Sequence, residues 1–280
     1  MDISGQVRGV LRQFAPAVPA QSLPHVDPVG LLVLAIAHPE MEITMGSTAG
    51  TPGFLGEHAP LLIEARHSRP VYAGFNLACA MRVLPRITRQ ERVAWRKGLQ
   101  RQVAGLVGAG EHMLLARDTK PVAFLWQHWL LMLAQEHAGL AVPETLMKGL
   151  VRRGMAAVSR GAVAPLHAPA ASSALEGFVY DDLCALHAAF NAAVMAGDRG
   201  EQLMAAAEKV VKWHVENTQP DNTTQEPWAV AAFAALDDTA TFASQQVHDA
   251  IQRLTTSPAP RTDGGILAGL LADAIVTQGG

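Results

Sequence analysis

Eight polar or aromatic side chains fall within fifteen residues of one another: His214, Glu216, Asn217, Gln219, Asp221, Asn222, Glu226 and Trp228. An imidazole that titrates near neutral pH, with a carboxylate to orient it, is the usual equipment for moving a proton. His214, Asp221 and Glu226 are therefore the catalytic candidates, with Asn217, Gln219, Asn222 and Trp228 as binding residues. The plainer alternative is that these side chains hydrogen-bond the loop to itself. His214 and Glu216 lie two apart, so they diverge on an intact helix, and a metal site would need a further ligand from elsewhere. Tyr180, Asp181 and Asp182 form a second polar group at the head of an apolar stretch, where adjacent acids point different ways. His128 stands beside Gln127 in an otherwise apolar run, so it either bonds a core group or lines a polar cavity. The flanking Trp126 and Trp129 read as core.

These residues need helices to hold them. From Arg199 to His214, the residues Leu203, Ala207, Val210, Val211 and His214 share one helical face, and Glu201, Glu208, Lys209 and Lys212 fall away from it. Pro220 ends that helix, Asp221 to Thr224 are turn and cap formers, and Pro227 suits the first turn of the next helix. The stretch from Trp228 to Leu236 has no polar face and must be surrounded by protein. An outer helix is thus followed by an inner one.

The alternation recurs. Amphipathic Ser4–Phe14 precedes apolar Val29–Ala37, and Ala59–Arg66 precedes Val71–Val83. Thr88–Val107 precedes Val122–Ala134, Glu144–Val158 precedes Leu175–Met195, and Thr241–Leu254 precedes Ile266–Val276. Glu40–Gly56, rich in Gly, Thr and Pro, reads as a lid-like loop. The inner helices begin about 38 to 54 residues apart, the spacing of helical-hairpin repeats. The expected fold is all-α, one domain over residues 1–280, with about six hairpins closed into an α/α toroid or strung into an open α-solenoid.

Composition narrows the classes. Of 280 residues, 17% are charged and 49% hydrophobic, so much of the chain is expected to be buried. A formal net charge of −3 gives no reason to expect a nucleic-acid partner. The apolar runs are too short to span a bilayer, and the first residues lack the pattern of a secretory signal. A soluble cytoplasmic protein is expected, with Cys79 and Cys184 as buried free thiols. HExxH, paired CxxC, Walker, GxGxxG and GxSxG motifs are absent. Glu64 and His67 make a single ExxH pair where a di-iron bundle needs two. The sequence names no cofactor and no metal site.

The outer helix, the Gln219-Pro220-Asp221 loop and the aromatic Trp228 at the head of an inner helix resemble the α/α-toroid superfamily of terpenoid cyclases and protein prenyltransferases. The likeness is one of layout. The chain lacks a DxDD acid motif, and Asp181–Asp182 and Asp237–Asp238 lack the third acid of a DDxxD site, so the resemblance implies a fold and carries no activity.

In a toroid the loops entering the inner helices meet at one rim. His25, Asp27, His67, Arg69, Lys120, Arg261 and Asp263 would join the residues above there, although Asp27, Asp221 and Asp263 are equally placed to cap helices. The leading expectation is a small-molecule pocket at that rim, suited to acid–base chemistry on an apolar or carbohydrate-like substrate. The alternatives are a non-catalytic helical-repeat module that binds a protein and a metal-binding helical protein.

Overall fold

Apolar runs broken by proline and glycine produce helices throughout the computed structural model, which describes residues 3–14, 28–40, 43, 70–158, 164–166, 175–218, 226–256 and 262–279. Twelve α-helices lie among them. They are α1 (Ile3–Phe14), α2 (Pro28–Ala37), α3 (Pro70–Arg82), α4 (Arg89–Val103), α5 (Leu106–Leu115) and α6 (Pro121–Leu133). After these come α7 (Glu144–Met155), α8 (Leu175–Ala196), α9 (Glu201–Asn217), α10 (Val230–Leu236), α11 (Thr241–Thr256) and α12 (Thr262–Thr277). Among the described residues, extended pairing is confined to a parallel bridge between Ile43 and Ile87. None of the described helices is long and apolar enough to cross a membrane. The proposed Ala59–Arg66 helix and nearly all of the Glu40–Gly56 loop lie outside the described residues.

Packing divides the chain into two units: residues 1–105, 133–141 and 251–280 form one, and residues 106–132 and 142–250 the other. In the first unit α2 packs against α1, α3 and α12. Its apolar side chains, among them Leu32, Phe75 and Met81, are fully buried. Buried charges on two apolar helices here pair with each other. Arg82 on α3 meets Asp273 on α12 at 3.0 Å and also donates to Thr277 Oγ1 at 3.1 Å. Trp95 on α4 donates its indole N–H to the carbonyl of Ala80 on α3 at 3.0 Å.

The same unit contains a π-helical turn, Ala134–Ala138, that ends on Gly139 at φ +73°. The left-handed backbone there suits glycine and lets Leu140 N–H reach back to the carbonyl of Ala134 at 3.1 Å. His137 sits in this turn half-buried. Burial first of all lowers its pKa; Arg82 and Arg96 push the same way, and Glu136 opposes them.

In the second unit α8 is the central helix, with α9 and α10 packed on it, while α5 packs on α7. Residues 181–193 of α8 are all buried, which explains why no polar face is visible in that part of its sequence. The helix α5 departs from the expected Thr88–Val107 helix. The chain turns at Ala104 and Gly105, and Leu106 begins a new helix. Gly108 and Gly110 hide it from propensity, since glycine in a helix costs about 1 kcal/mol against alanine. Packing supplies the reason for Gly110, where a Cβ would come within 3.3 Å of Leu146 on α7.

A similar close approach holds α7 to α6. A Cβ at Gly154 would meet Leu125 at 2.7 and 2.8 Å, at its branched Cγ and at Cδ2, whereas a Cβ at Gly149 would meet the flexible tip of Leu114 at 2.8 Å. We therefore expect Gly154→Ala to destabilise the chain by about 1–3 kcal/mol, as overpacking does. Gly149→Ala should cost less, because a side-chain tip moves more easily than a branch point. Urea unfolding of the two variants checks the order.

Candidate functional site

His214 lies on the apolar stripe of α9, and that stripe faces α8. Its imidazole Nε2–H donates to Asp182 Oδ2 at 2.7 Å, and both side chains are 0% exposed. The other oxygen of Asp182 accepts the backbone N–H of Leu166 at 2.5 Å. One carboxylate thereby ties α8 to α9 and to the segment containing Leu166. Below the pair, Thr218 donates its hydroxyl to the His214 carbonyl at 2.8 Å and closes the end of α9.

The residues after His214 look elsewhere. Glu216 is exposed and stands 3.9 Å from Lys212 one turn back. Asn217 donates its amide to the Trp213 carbonyl at 2.8 Å, which satisfies one of the last carbonyls of the helix. Gln219, Asp221 and Asn222 lie outside the described residues, as do His25, Asp27, His67, Arg69 and Arg261. Among the described residues, then, the carboxylate beside His214 is Asp182.

Glu226 belongs to a different group. Its Oε2 accepts the indole N–H of Trp228 at 2.7 Å and the hydroxyl of Tyr180 at 3.2 Å. The chain passes Trp228 before becoming helical, because α10 begins at Val230 and Ala229 holds the left-handed φ of 58°. A non-glycine residue rarely adopts that backbone. Here it accompanies a tight turn that leaves Trp228 0% exposed, beside Trp126 and His187, with ring centroids at 5.9 and 5.2 Å. Pro227 therefore precedes the helix proper, and the aromatic residue caps the core in place of opening the helix.

Asp181 completes this group from the second turn of α8. It pairs with Lys120 Nζ at 2.7 Å, the lysine being 41% exposed and the acid 8%. Lys120 immediately precedes α6, Tyr180 and Asp181 lie in α8, and Glu226 precedes α10. Four polar side chains, from the approaches to α6 and α10 and from the second turn of α8, are thus placed together in one unit. The thiol of Cys184, one turn further along α8, records their proximity. Burial pushes its pKa well up, and the charges of Asp181 and Glu226 add to the rise while a hydrogen bond with Tyr180 opposes it.

Under this group lies an aromatic floor. His187 stacks on Trp126 at 5.7 Å and stands edge-on to Trp129 at 5.4 Å and to Trp228 at 5.2 Å. Trp126 Nε1–H donates to the Cys184 carbonyl at 3.0 Å, fixing α6 against α8. Gln127 is consumed in the core, donating to the Leu106 carbonyl at 2.6 Å. His128 is buried, and its Nδ1 has no hydrogen-bond partner among the described residues. Loss of water holds its pKa down to about 4, so the ring is neutral at physiological pH.

Lys120, expected at the rim, does lie beside Asp181, whereas Cys184, expected only as a buried thiol, lies beneath the same group. The signal that joins them is positional: a lysine just before one apolar helix and an acid in the second turn of another. No group of three or more His, Cys, Asp or Glu suited to a metal ion occurs among the described residues. Comparison with known proteins finds no matching family model, curated protein or solved structure.

Proposed function

We propose that the chain binds a small molecule at the rim formed by Lys120, Tyr180, Asp181 and Glu226. The observation that supports this reading is the exposure of Lys120 at its contact with Asp181 and the partial exposure of Glu226, in contrast to the complete burial of Asp182–His214. A general base must reach its substrate's proton within about 3 Å or through one water. His214 is shut off by protein on all sides, so its pairing with Asp182 serves as a brace. Acid–base work falls instead to Glu226 and Asp181, whose charges both bear on one thiol. Tyr180 and the Trp228 indole hold Glu226 in place from below. Hydroxyl-rich, carbohydrate-like molecules suit such a rim, because they offer donors to two carboxylates and acceptors to a lysine.

The α/α-toroid arrangement is part of the same proposal. Its support is the alternation of half-buried and fully buried helices and the gathering of polar groups from the approaches to α6 and α10 and the second turn of α8. An open solenoid remains the alternative fold. Thermal unfolding in the presence of a panel of sugars, polyols and hydroxy acids tests the site. Ligands that raise the midpoint of the natural chain should fail to raise it for Glu226→Gln and Asp181→Asn, while Glu216→Gln responds like the natural chain. Equal responses from all three variants would overturn the assignment.

A further inference from the structure

Among the described residues, two besides glycine hold a left-handed backbone, Ala229 at φ 58° and Ala240 at φ 50°. The turn at Ala240 is partly exposed and secured by its own residues. Asp237 accepts the amide and the hydroxyl of Thr239 at 3.1 and 2.9 Å, and its carbonyl accepts the Ala240 amide at 2.9 Å. Ala229 is 1% exposed, and its turn contains Glu226 and Trp228, joined by the indole bond at 2.7 Å. A second unfavourable feature lies beside it. Gln246 on α11 is buried and donates its amide to the Trp228 carbonyl at 3.3 Å, whereas its Oε1 has no hydrogen-bond partner among the described residues. Turning the amide over would set Oε1 against that carbonyl, so a flip does not remove the orphan. A left-handed non-glycine residue and a buried oxygen without a donor each raise the energy of the state that holds them. Both adjoin Trp228.

We infer that residues 226–230 form a lid over the rim, closed in this state, that opens to admit the ligand. The inference rests on the rim reading of Lys120, Tyr180, Asp181 and Glu226, and adds how access to that site is controlled. Glu226 Oε2 receives both the Trp228 indole and the Tyr180 hydroxyl, so a ligand hydroxyl that takes this oxygen displaces the indole. A buried indole N–H without an acceptor is unfavourable, and Trp228 leaves the aromatic floor with it. Ala229 then returns to the ordinary right-handed backbone, and Gln246 Oε1 gains a donor from water or from the ligand. Strain held in the closed turn offsets part of the cost of uncovering Trp228 and His187. The two states differ at one backbone angle and one hydrogen bond, so a modest difference in ligand contacts shifts the balance between them.

Cys184 reports the opening without any ligand. Its thiol is fully buried, hydrogen-bonds with Tyr180 and feels the charges of Asp181 and Glu226, so the closed lid shields it from iodoacetamide. Cys79, buried in the first unit, is the control for global unfolding. Alkylation of the native full chain is followed at each thiol by mass spectrometry. In the natural chain Cys184 should react at least about tenfold faster than Cys79, because local opening precedes global unfolding. Ala229→Gly removes the left-handed penalty, favours the closed turn and should slow Cys184 by about threefold to fivefold. Ala240→Gly relieves the same backbone in a turn that does not move, and should leave the Cys184 rate within about 1.5-fold. Amide hydrogen exchange over residues 230–233 should rank the three proteins in the same order. Equal rates at the two thiols, equal effects of the two glycine variants, or faster alkylation in Ala229→Gly would overturn the lid. A Cys184 response without any midpoint shift by sugars, polyols or hydroxy acids would leave the moving turn and remove its ligand. Midpoint shifts without the Cys184 response would remove the lid and leave the rim.

Discussion

Asp182→Ala should destabilise the chain by about 3–5 kcal/mol, the range found when one partner of a buried ion or charge-assisted pair is removed. The change strands two donors at once, the His214 imidazole at 2.7 Å and the Leu166 amide at 2.5 Å, in a region with no exposure. Natural domains are stable by only about 5–15 kcal/mol, so the loss is a large part of the whole. His214→Phe removes the donor and fills the space beside Phe233, and it should cost less than Asp182→Ala once Asp182 is also made Asn. In that double variant the Leu166 amide keeps an acceptor and no buried charge remains. Urea unfolding of Asp182→Asn, of His214→Phe and of the double variant gives the coupling between the two sites. A coupling near zero would mean that the pair does not brace α8 against α9.

The second large effect is a dependence on pH. Burial disfavours the charged form of His128 and holds its pKa down to about 4, against an ordinary 6.5 in the unfolded chain. The unfolded chain takes up a proton at this position as pH falls through 6.5, and the folded chain does so only near 4. Stability is therefore full above the unfolded pKa and declines as pH drops between these two values. At pH 4.5 the loss from this one group is roughly 2–3 kcal/mol. His128→Leu removes the titration, so its stability should change less than that of the natural chain between pH 8 and pH 4.5. His137, also lowered by burial, contributes a loss of the same sign in both proteins and cancels in the comparison. Parallel slopes for the two proteins would show that His128 reaches water.

Much of the helical frame was legible because burial writes itself into periodicity. The run from Val29 to Ala37 and the residues after Tyr180 have no polar face, and both stretches are buried. His214 was readable as a buried residue from its place beside Val210 and Val211 on the stripe of α9. Its partner was not, since Asp182 is 32 positions away and the approach of α8 to α9 is a property of packing. A general signal was nevertheless present. A buried charge inside an apolar helix needs a polar partner, and Arg82 in α3, Asp273 in α12 and Asp182 in α8 each obey that demand.

Two features were opaque for physical reasons. The helix α5 is built from LVGAGEHMLL, where the glycines that weaken its local preference permit its contact with α7. The turn at Ala229 places an ordinary residue in a left-handed backbone, and no local preference announces it. The rim was legible in its members and not in its grouping. Tyr180, Asp181, Glu226 and Trp228 stood out by type, yet they divide from His214 and Asp182 because adjacent acids on α8 face different neighbours.

The rim proposal is tested most directly by fluorine NMR on protein labelled with 5-fluorotryptophan, using the ligands that raise the unfolding midpoint. Trp228 donates to Glu226 and is otherwise enclosed, so its resonance should move on ligand addition while that of Trp95, in the other unit, stays in place. Glu226→Gln should abolish the movement. A Trp228 resonance that ignores every such ligand, or that moves equally in Glu226→Gln, would contradict the account.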